Sequence, residues 1–165
     1  MGTKHIDVTV TSSAPPEAVY ALLVDGPSWP TWSDFDAYEL VQPAPDGGSG
    51  VGAVHVHTKG ARRRTTERIV ELVPDRRYSY ELVSGLPLEG YRASVDLTPT
   101  PDGGTRIRWH STFRPQVAGT RWFWKLVLGA FIRQTATALA PHAPTVVPSS
   151  ATARGHARCV RAAAR

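Results

Sequence analysis

Residues 91–114 have the sequence YRASVDLTPTPDGGTRIRWHSTFR, a pattern that predicts two strands joined by a tight turn. Apolar and polar residues alternate over residues 91–98, and the same alternation returns over residues 106–114. Between these runs, the glycines of PDGG at 101–104 tolerate the positive φ angles that a short hairpin turn requires. The stretch therefore predicts an antiparallel hairpin with one apolar face.

The chain on both sides of this hairpin extends the same sheet. A period of two and intervening turn residues predict further strands at residues 5–11, 38–41, 54–58, 64–73 and 78–83. Two short helices are expected at residues 13–24 and 28–33, and residues 119–140 have the spacing of one long helix. That helix would be roughly 33 Å long, enough to cross a sheet. The order predicts an α+β domain, with a curved antiparallel sheet of about seven strands and the long helix over one face.

Length and charge restrict the classes of function. The 165 residues suit one domain, expected over 1–141, followed by a Pro/Ala/Arg-rich tail at 142–165 that is expected to be disordered. Four of the five net positive charges lie in that tail, so the body carries a net charge of only +1 and no nucleic-acid partner is expected. The single cysteine, Cys159, excludes an internal disulfide. No apolar run reaches the length of a membrane span and no secretory signal is visible, so a cytoplasmic location is expected.

Four stretches resemble the START-like, or SRPBCC, superfamily, and most closely its polyketide cyclase/dehydrase and lipid transport branch. They are residues 8–23, the Trp29-Pro30-x-Trp32 segment, the glycine entry GVGAV at 50–54, and residues 80–113. The resemblance covers roughly residues 4–140. It implies a helix-grip fold, in which the sheet holds the C-terminal helix over an elongated hydrophobic cavity. It also implies binding of lipids, sterols, polyketides or plant hormones, with chemistry in a minority of members.

A ligand cavity should combine polar atoms with apolar walls. Tyr80, Tyr91, Trp109 and Ser111 have this character on strands expected to face the cavity, and small side chains such as Ala93 favour space inside. The alternative is a filled core whose Tyr and Trp tips reach backbone groups or the surface. The full set of expected cavity-lining residues is Trp29, Trp32, Phe35, Arg68, Tyr80, Tyr91, Ala93, Val95, Trp109, Ser111, Phe113, Phe123, Val127 and Phe131.

The strands at residues 54–58 and 64–73 are harder to orient. Val54 and Val56 make one face of the first strand apolar, so His55 and His57 are expected to face solvent. No carboxylate or cysteine motif accompanies the two histidines, and neither a metal nor a cofactor is expected. In the second strand, each face carries both polar and apolar side chains. The face that contains Arg68 is expected to point inward.

Three functions are compatible with these observations. The first is non-enzymatic binding of a small hydrophobic or aromatic ligand, lipid-like or polyketide-like, by a monomer or homodimer. The second is a polyketide cyclase/aromatase or dehydratase that uses Tyr, Ser or Arg groups in the cavity, although no catalytic motif is visible. The third is an interaction module with a filled core, docking through the aromatic closing helix.

Overall fold

The computed structural model describes residues 2–117 and 119–143, so most of the tail predicted at 142–165 lies outside the described residues. Within these ranges the chain forms three helices, α1 (Pro16–Val24), α2 (Trp29–Trp32) and α3 (Arg121–His142), and a 3₁₀ turn at Gly26–Ser28 leads into α2. The seven strands are β1 (Lys4–Ser12), β2 (Ala37–Gln42), β3 (Val54–Lys59), β4 (Arg63–Val73), β5 (Arg77–Ser84), β6 (Leu88–Pro99) and β7 (Thr105–Pro115).

All seven strands form one antiparallel sheet in the order β1-β7-β6-β5-β4-β3-β2. From β2 to β7, consecutive strands are neighbours; short turns join them except between β2 and β3, where the connection covers residues 43–53. Strand β1 pairs out of sequence, against β7. The predicted hairpin at residues 91–114 is present, and its register places Ala93 opposite Ser111 and Val95 opposite Trp109. The α+β helix-grip architecture is confirmed.

The core lies between the inner face of the sheet and the helices. Val95, Ile107 and Phe113 on the sheet have no exposed surface, and neither do Ile132 and Leu139 on α3. Two buried hydroxyls also tie distant segments together. Ser12 Oγ donates a 2.5 Å hydrogen bond to the carbonyl of Ala140, and Thr105 Oγ1 donates one of 2.7 Å to the carbonyl of Ala14. The first bond holds the last turns of α3 against β1, and the second ties the start of β7 to the segment that precedes α1.

Helix α3 presents a different stripe to the sheet from the one predicted. Phe123 and Val127 were expected to face the cavity, but they are 44% and 38% exposed. The buried positions of the helix are instead Leu128, Ile132, Thr135, Ala136, Leu139 and Ala140. Both stripes have helical spacing and apolar residues, so hydropathy does not predict which of them is buried. The packing of α3 against β1 and β7 determines the buried stripe. No helix among the described residues is long and apolar enough to cross a membrane.

At the centre of strand β4, the residues that point inward are not the ones that were predicted to do so. Glu67 and Ile69 point inward, whereas Arg68 lies on the outer face and bonds Glu81 Oε1 at 3.0 Å through its Nη1. An irregularity in the β4–β5 pairing between Ile69 and Glu71 reverses the inward and outward alternation of the side chains. As a result, Leu72 packs against the core. The assignment of Arg68 to the cavity was therefore wrong, because the strand does not keep one phase along its length.

Replacing Arg68 with alanine is expected to change the free energy of unfolding by about 0.5 kcal/mol or less, since exposed ion pairs contribute little. Urea denaturation of Arg68→Ala beside Glu81→Ala would measure this, and both variants should behave alike. A loss of several kcal/mol for Arg68→Ala alone would contradict the outward placement.

Candidate functional site

His55 and His57 of β3 lie on the inner face of the sheet, and each is only 1% exposed. Their prediction as solvent-facing residues was wrong. Val54 and Val56, on the opposite face, are buried too, so both faces of this strand are covered. The alternation of Val and His therefore carried no information about which side faces water.

The register of the β3–β4 hairpin places a carboxylate beside the two histidines. Its strands pair around a turn that contains Gly60, which brings Glu67 directly opposite His55. Glu67 Oε2 lies 3.4 Å from His55 Nε2 and 3.9 Å from His57 Nε2. The expectation that no carboxylate accompanies the histidines was also wrong. Counting residues outward from this turn would have given the pairing from the sequence.

Aromatic rings enclose the histidines. The ring of Phe35 stacks on His57 at a centroid distance of 4.3 Å and an angle of 17°, and Trp29 lies 4.8 Å from the same ring. Tyr38 of β2 lies 5.5 Å from His55 and 5.6 Å from His57. These contacts fix the orientation of the imidazoles and exclude water from them. We call His55, His57 and Glu67 the histidine–glutamate cluster.

Burial lowers the pKa of His57 to about 4, and the nearby carboxylate of Glu67 opposes this shift only in part. The imidazole is therefore neutral at neutral pH and has a lone pair available. Neither nitrogen of His57 has a hydrogen-bond partner among the described residues, and His55 Nδ1 also has none. Buried polar atoms are nearly always paired in folded proteins, so these atoms require an explanation.

A second group of polar side chains lies deeper on the inner face, on β5, β6 and β7. Burial raises the pKa of Tyr80 and of Tyr91 well above the usual value, so both phenols stay protonated. Ser111 lies close to the Tyr91 hydroxyl. The indole nitrogen of Trp109 lies close to the Tyr80 hydroxyl in the same way. Among the described residues, neither Ser111 Oγ nor the Trp109 nitrogen has the geometry of a well-formed hydrogen bond.

The sheet residues predicted to line a cavity are closely packed. Trp109 and Ala93 are 1% exposed and Ser111 is 2% exposed, so none borders an open space of appreciable size. Trp29 and Trp32 of α2 are buried as well, whereas Phe35 and Phe131 are only half-buried and lie 5.5 Å apart. The structure thus brings most of the predicted residues to one interior, with Phe123, Val127 and Arg68 outside it.

Two surface grooves lie away from this interior. One, of about 410 Å³, runs between the end of β1 and the end of α3 and includes Ser12 and Thr137. The other, of about 340 Å³, lies at the start of α3 beside Lys4 and Trp122. Neither contains a residue that was predicted to bind ligand.

Comparison with known families gives one match over most of the chain. Residues 3–144 match the family model described as polyketide cyclase/dehydrase and lipid transport. A search of curated proteins finds no match.

Solved structures share the architecture at low sequence identity. A START superfamily protein from Mycobacterium smegmatis is 12% identical, with a TM-score of 0.74 over 88% of this chain and 100% of that one. Ara h 8.0201 is 20% identical, with a TM-score of 0.71 over 87% and 99% of the two chains. Norcoclaurine synthase from Thalictrum flavum, solved with dopamine and hydroxybenzaldehyde, is 14% identical, with a TM-score of 0.68 over 84% and 85%. These likenesses show the fold.

Proposed function

The chain belongs to the polyketide cyclase/dehydrase and lipid transport family. On that premise we propose that it binds a small hydrophobic or aromatic ligand between the inner face of the sheet and α3, and that side chains of the closely packed interior move apart to admit it. The observation that carries this proposal is the set of unpaired polar atoms inside an otherwise apolar core. Among the described residues, both ring nitrogens of His57 lack a hydrogen bond, and Trp109 and Ser111 each bury one polar atom that approaches a tyrosine hydroxyl without a well-formed bond. Leaving a buried donor or acceptor unpaired costs roughly 1–3 kcal/mol, and a ligand that pairs with it recovers that cost.

The chemistry of the interior limits the ligand class. The walls are aromatic and aliphatic, while the unpaired groups include an indole N–H, a serine hydroxyl and imidazole nitrogens. A matching ligand has an apolar or aromatic body with one or more hydroxyl or carbonyl oxygens. The half-buried pair Phe35 and Phe131 marks the expected entrance, because side chains that retain exposure can move at the lowest cost.

Native mass spectrometry of the purified full chain tests the proposal, followed by analysis of its organic extract. A co-purified apolar compound of defined mass is the expected result. If neither a co-purified compound nor the apolar probe 1-anilinonaphthalene-8-sulfonate binds the folded protein, the interior is a filled core and the ligand-binding proposal fails. The chain would then fit the interaction module.

Replacing Ser111 with alanine is expected to weaken ligand binding by about tenfold, the value of one hydrogen bond. The stability of the ligand-free protein should stay the same or rise by about 1 kcal/mol, since the substitution removes an unpaired buried hydroxyl. Titration with the co-purified compound, or with the anilinonaphthalene probe, and thermal denaturation would measure the two effects.

Ser79 supplies the matched control, because it is equally buried but lies on the outer face and bonds Ser94 Oγ at 2.8 Å. Ser79→Ala should lower stability by about 1 kcal/mol and leave ligand affinity unchanged. Equal losses of affinity in the two variants would argue against a ligand at Ser111.

A second candidate function is acid–base chemistry on the bound molecule, as in a cyclase or dehydratase. It is favoured by one observation, the neutral imidazole of His57 held beside Glu67 in a nonpolar site. Such a base can accept a proton from an acidic C–H or O–H group, and the carboxylate can stabilise the imidazolium that forms. Turnover of the co-purified compound, lost in His57→Gln, would establish it.

A further inference from the structure

We propose that the histidine–glutamate cluster is a binding site for a divalent transition-metal ion such as Zn²⁺, with His55, His57 and Glu67 as the three protein ligands. Nitrogen and carboxylate oxygen are both ordinary ligands of Zn²⁺, and two histidines with one glutamate form a known type of zinc and iron donor set. The inference does not depend on the ligand-binding function proposed above.

The three ligand atoms of the cluster lie close enough together for small side-chain movements to bring them around one metal ion. One ligand atom from each residue can be chosen so that all three lie within 4.8 Å of one another. Ligands bonded at about 2.1 Å in a tetrahedron are separated by about 3.4 Å. The 3.4 Å between His55 Nε2 and Glu67 Oε2 already has this value, and the 3.9 Å between His57 Nε2 and Glu67 Oε2 exceeds it by a few tenths.

The backbone supports this arrangement. His55 and His57 are two residues apart on one strand, so their side chains point to the same face, and Glu67 is paired directly with His55 across the hairpin. Phe35 and Trp29 hold the His57 ring from two sides. A hairpin with its side chains clamped in this way holds the ligands in place before the ion arrives, which reduces the entropy lost on binding.

A buried histidine nitrogen in the cluster has no hydrogen-bond partner among the described residues, as expected for an atom that binds a metal ion. His57 Nε2 faces the cluster, is almost fully buried and has no hydrogen bond among the described residues. A metal ion would pair this atom, which the protein itself leaves unpaired. Three protein ligands leave at least one coordination position, and the 12% exposure of the Glu67 side chain gives water or a ligand oxygen a path to it.

Zn²⁺ binding to the untagged full chain tests the site, in a Cys159→Ser background that removes the only thiol. After treatment with a chelator, isothermal titration with Zn²⁺ alone should give one site per chain. Removing one ligand should weaken that binding by at least about 100-fold in His57→Gln and in Glu67→Gln. His5→Gln, which changes an exposed histidine on β1, is the matched control and should bind like the parent protein.

Two further measurements distinguish the loss of the metal site from unfolding of the variants and from Zn²⁺ binding at other residues. Circular dichroism should show all variants folded, and Zn²⁺ should raise the melting temperature of the parent and of His5→Gln but not of the cluster variants. Co²⁺ absorption in the parent should report a coordination number of four or five, and this signal should disappear in His55→Gln. Zn²⁺ binding of unchanged affinity in all cluster variants, or no one-to-one binding in the parent, would overturn the proposal.

Discussion

Replacing Trp29 with alanine is expected to lower the free energy of unfolding by about 3–5 kcal/mol, the usual cost of deleting a buried tryptophan. Trp29 is 3% exposed, and its ring lies 4.7 Å from Trp32 and 6.2 Å from Trp109. Its indole nitrogen donates a 3.1 Å hydrogen bond to the carbonyl of Leu23. The substitution removes these contacts together and leaves a void beside His57.

Urea denaturation of Trp29→Ala measures this effect, and Trp122→Ala is the control that deletes the same side chain from the surface. Trp122 is 72% exposed, so its loss should change stability by about 0.5 kcal/mol or less. Similar small changes in the two variants would mean that Trp29 does not hold α2 against the sheet.

Acidifying the metal-free protein from pH 7 to pH 4 is expected to reduce stability by about 3 kcal/mol through His57 alone. Burial lowers the pKa of this imidazole to about 4, while in the unfolded chain it titrates near 6.5. Between these two values the unfolded state binds more protons than the folded state, so stability falls as the pH falls. Above the unfolded pKa the contribution is fully present and constant.

Carboxylates that titrate at the acid end of this range also change the stability. The difference in pH dependence of stability between the parent protein and His57→Gln therefore isolates the contribution of His57. Urea midpoints measured in the presence of a chelator should fall more steeply with acid in the parent than in the variant, and His5→Gln should follow the parent. In Trp29→Ala the slope should be shallower, because water entering the void would return the pKa of His57 toward its usual value. Identical slopes in the parent and His57→Gln would refute the prediction.

The interior polar groups explain why recognition of the fold leaves the activity open. The sheet and its closing helix serve many ligands within this architecture, and function depends on which polar atoms face inward. Here those atoms are His57, Trp109 and Ser111, all unpaired in the described part of the chain. Trp109 and Ser111 were predicted as inward-facing residues from the alternation of β7. His57 was assigned to the wrong side, because its strand has no exposed face to compare with.

The sequence by itself determined the order of elements, the turns and the meander from β2 to β7. These are local features, since alternation sets strand extent and turn residues such as Gly, Pro and Asp make successive strands neighbours. Tertiary structure alone decided which face of a strand or helix lies inside where hydropathy does not distinguish the two faces. Contacts with Trp29 and Phe35 placed His57 inside, and the irregularity between Ile69 and Glu71 separated Arg68 from the inward phase of Leu72. Packing on β1 and β7 selected the buried stripe of α3. Such choices depend on contacts between distant residues, and hydropathy along one strand or helix contains no information about them.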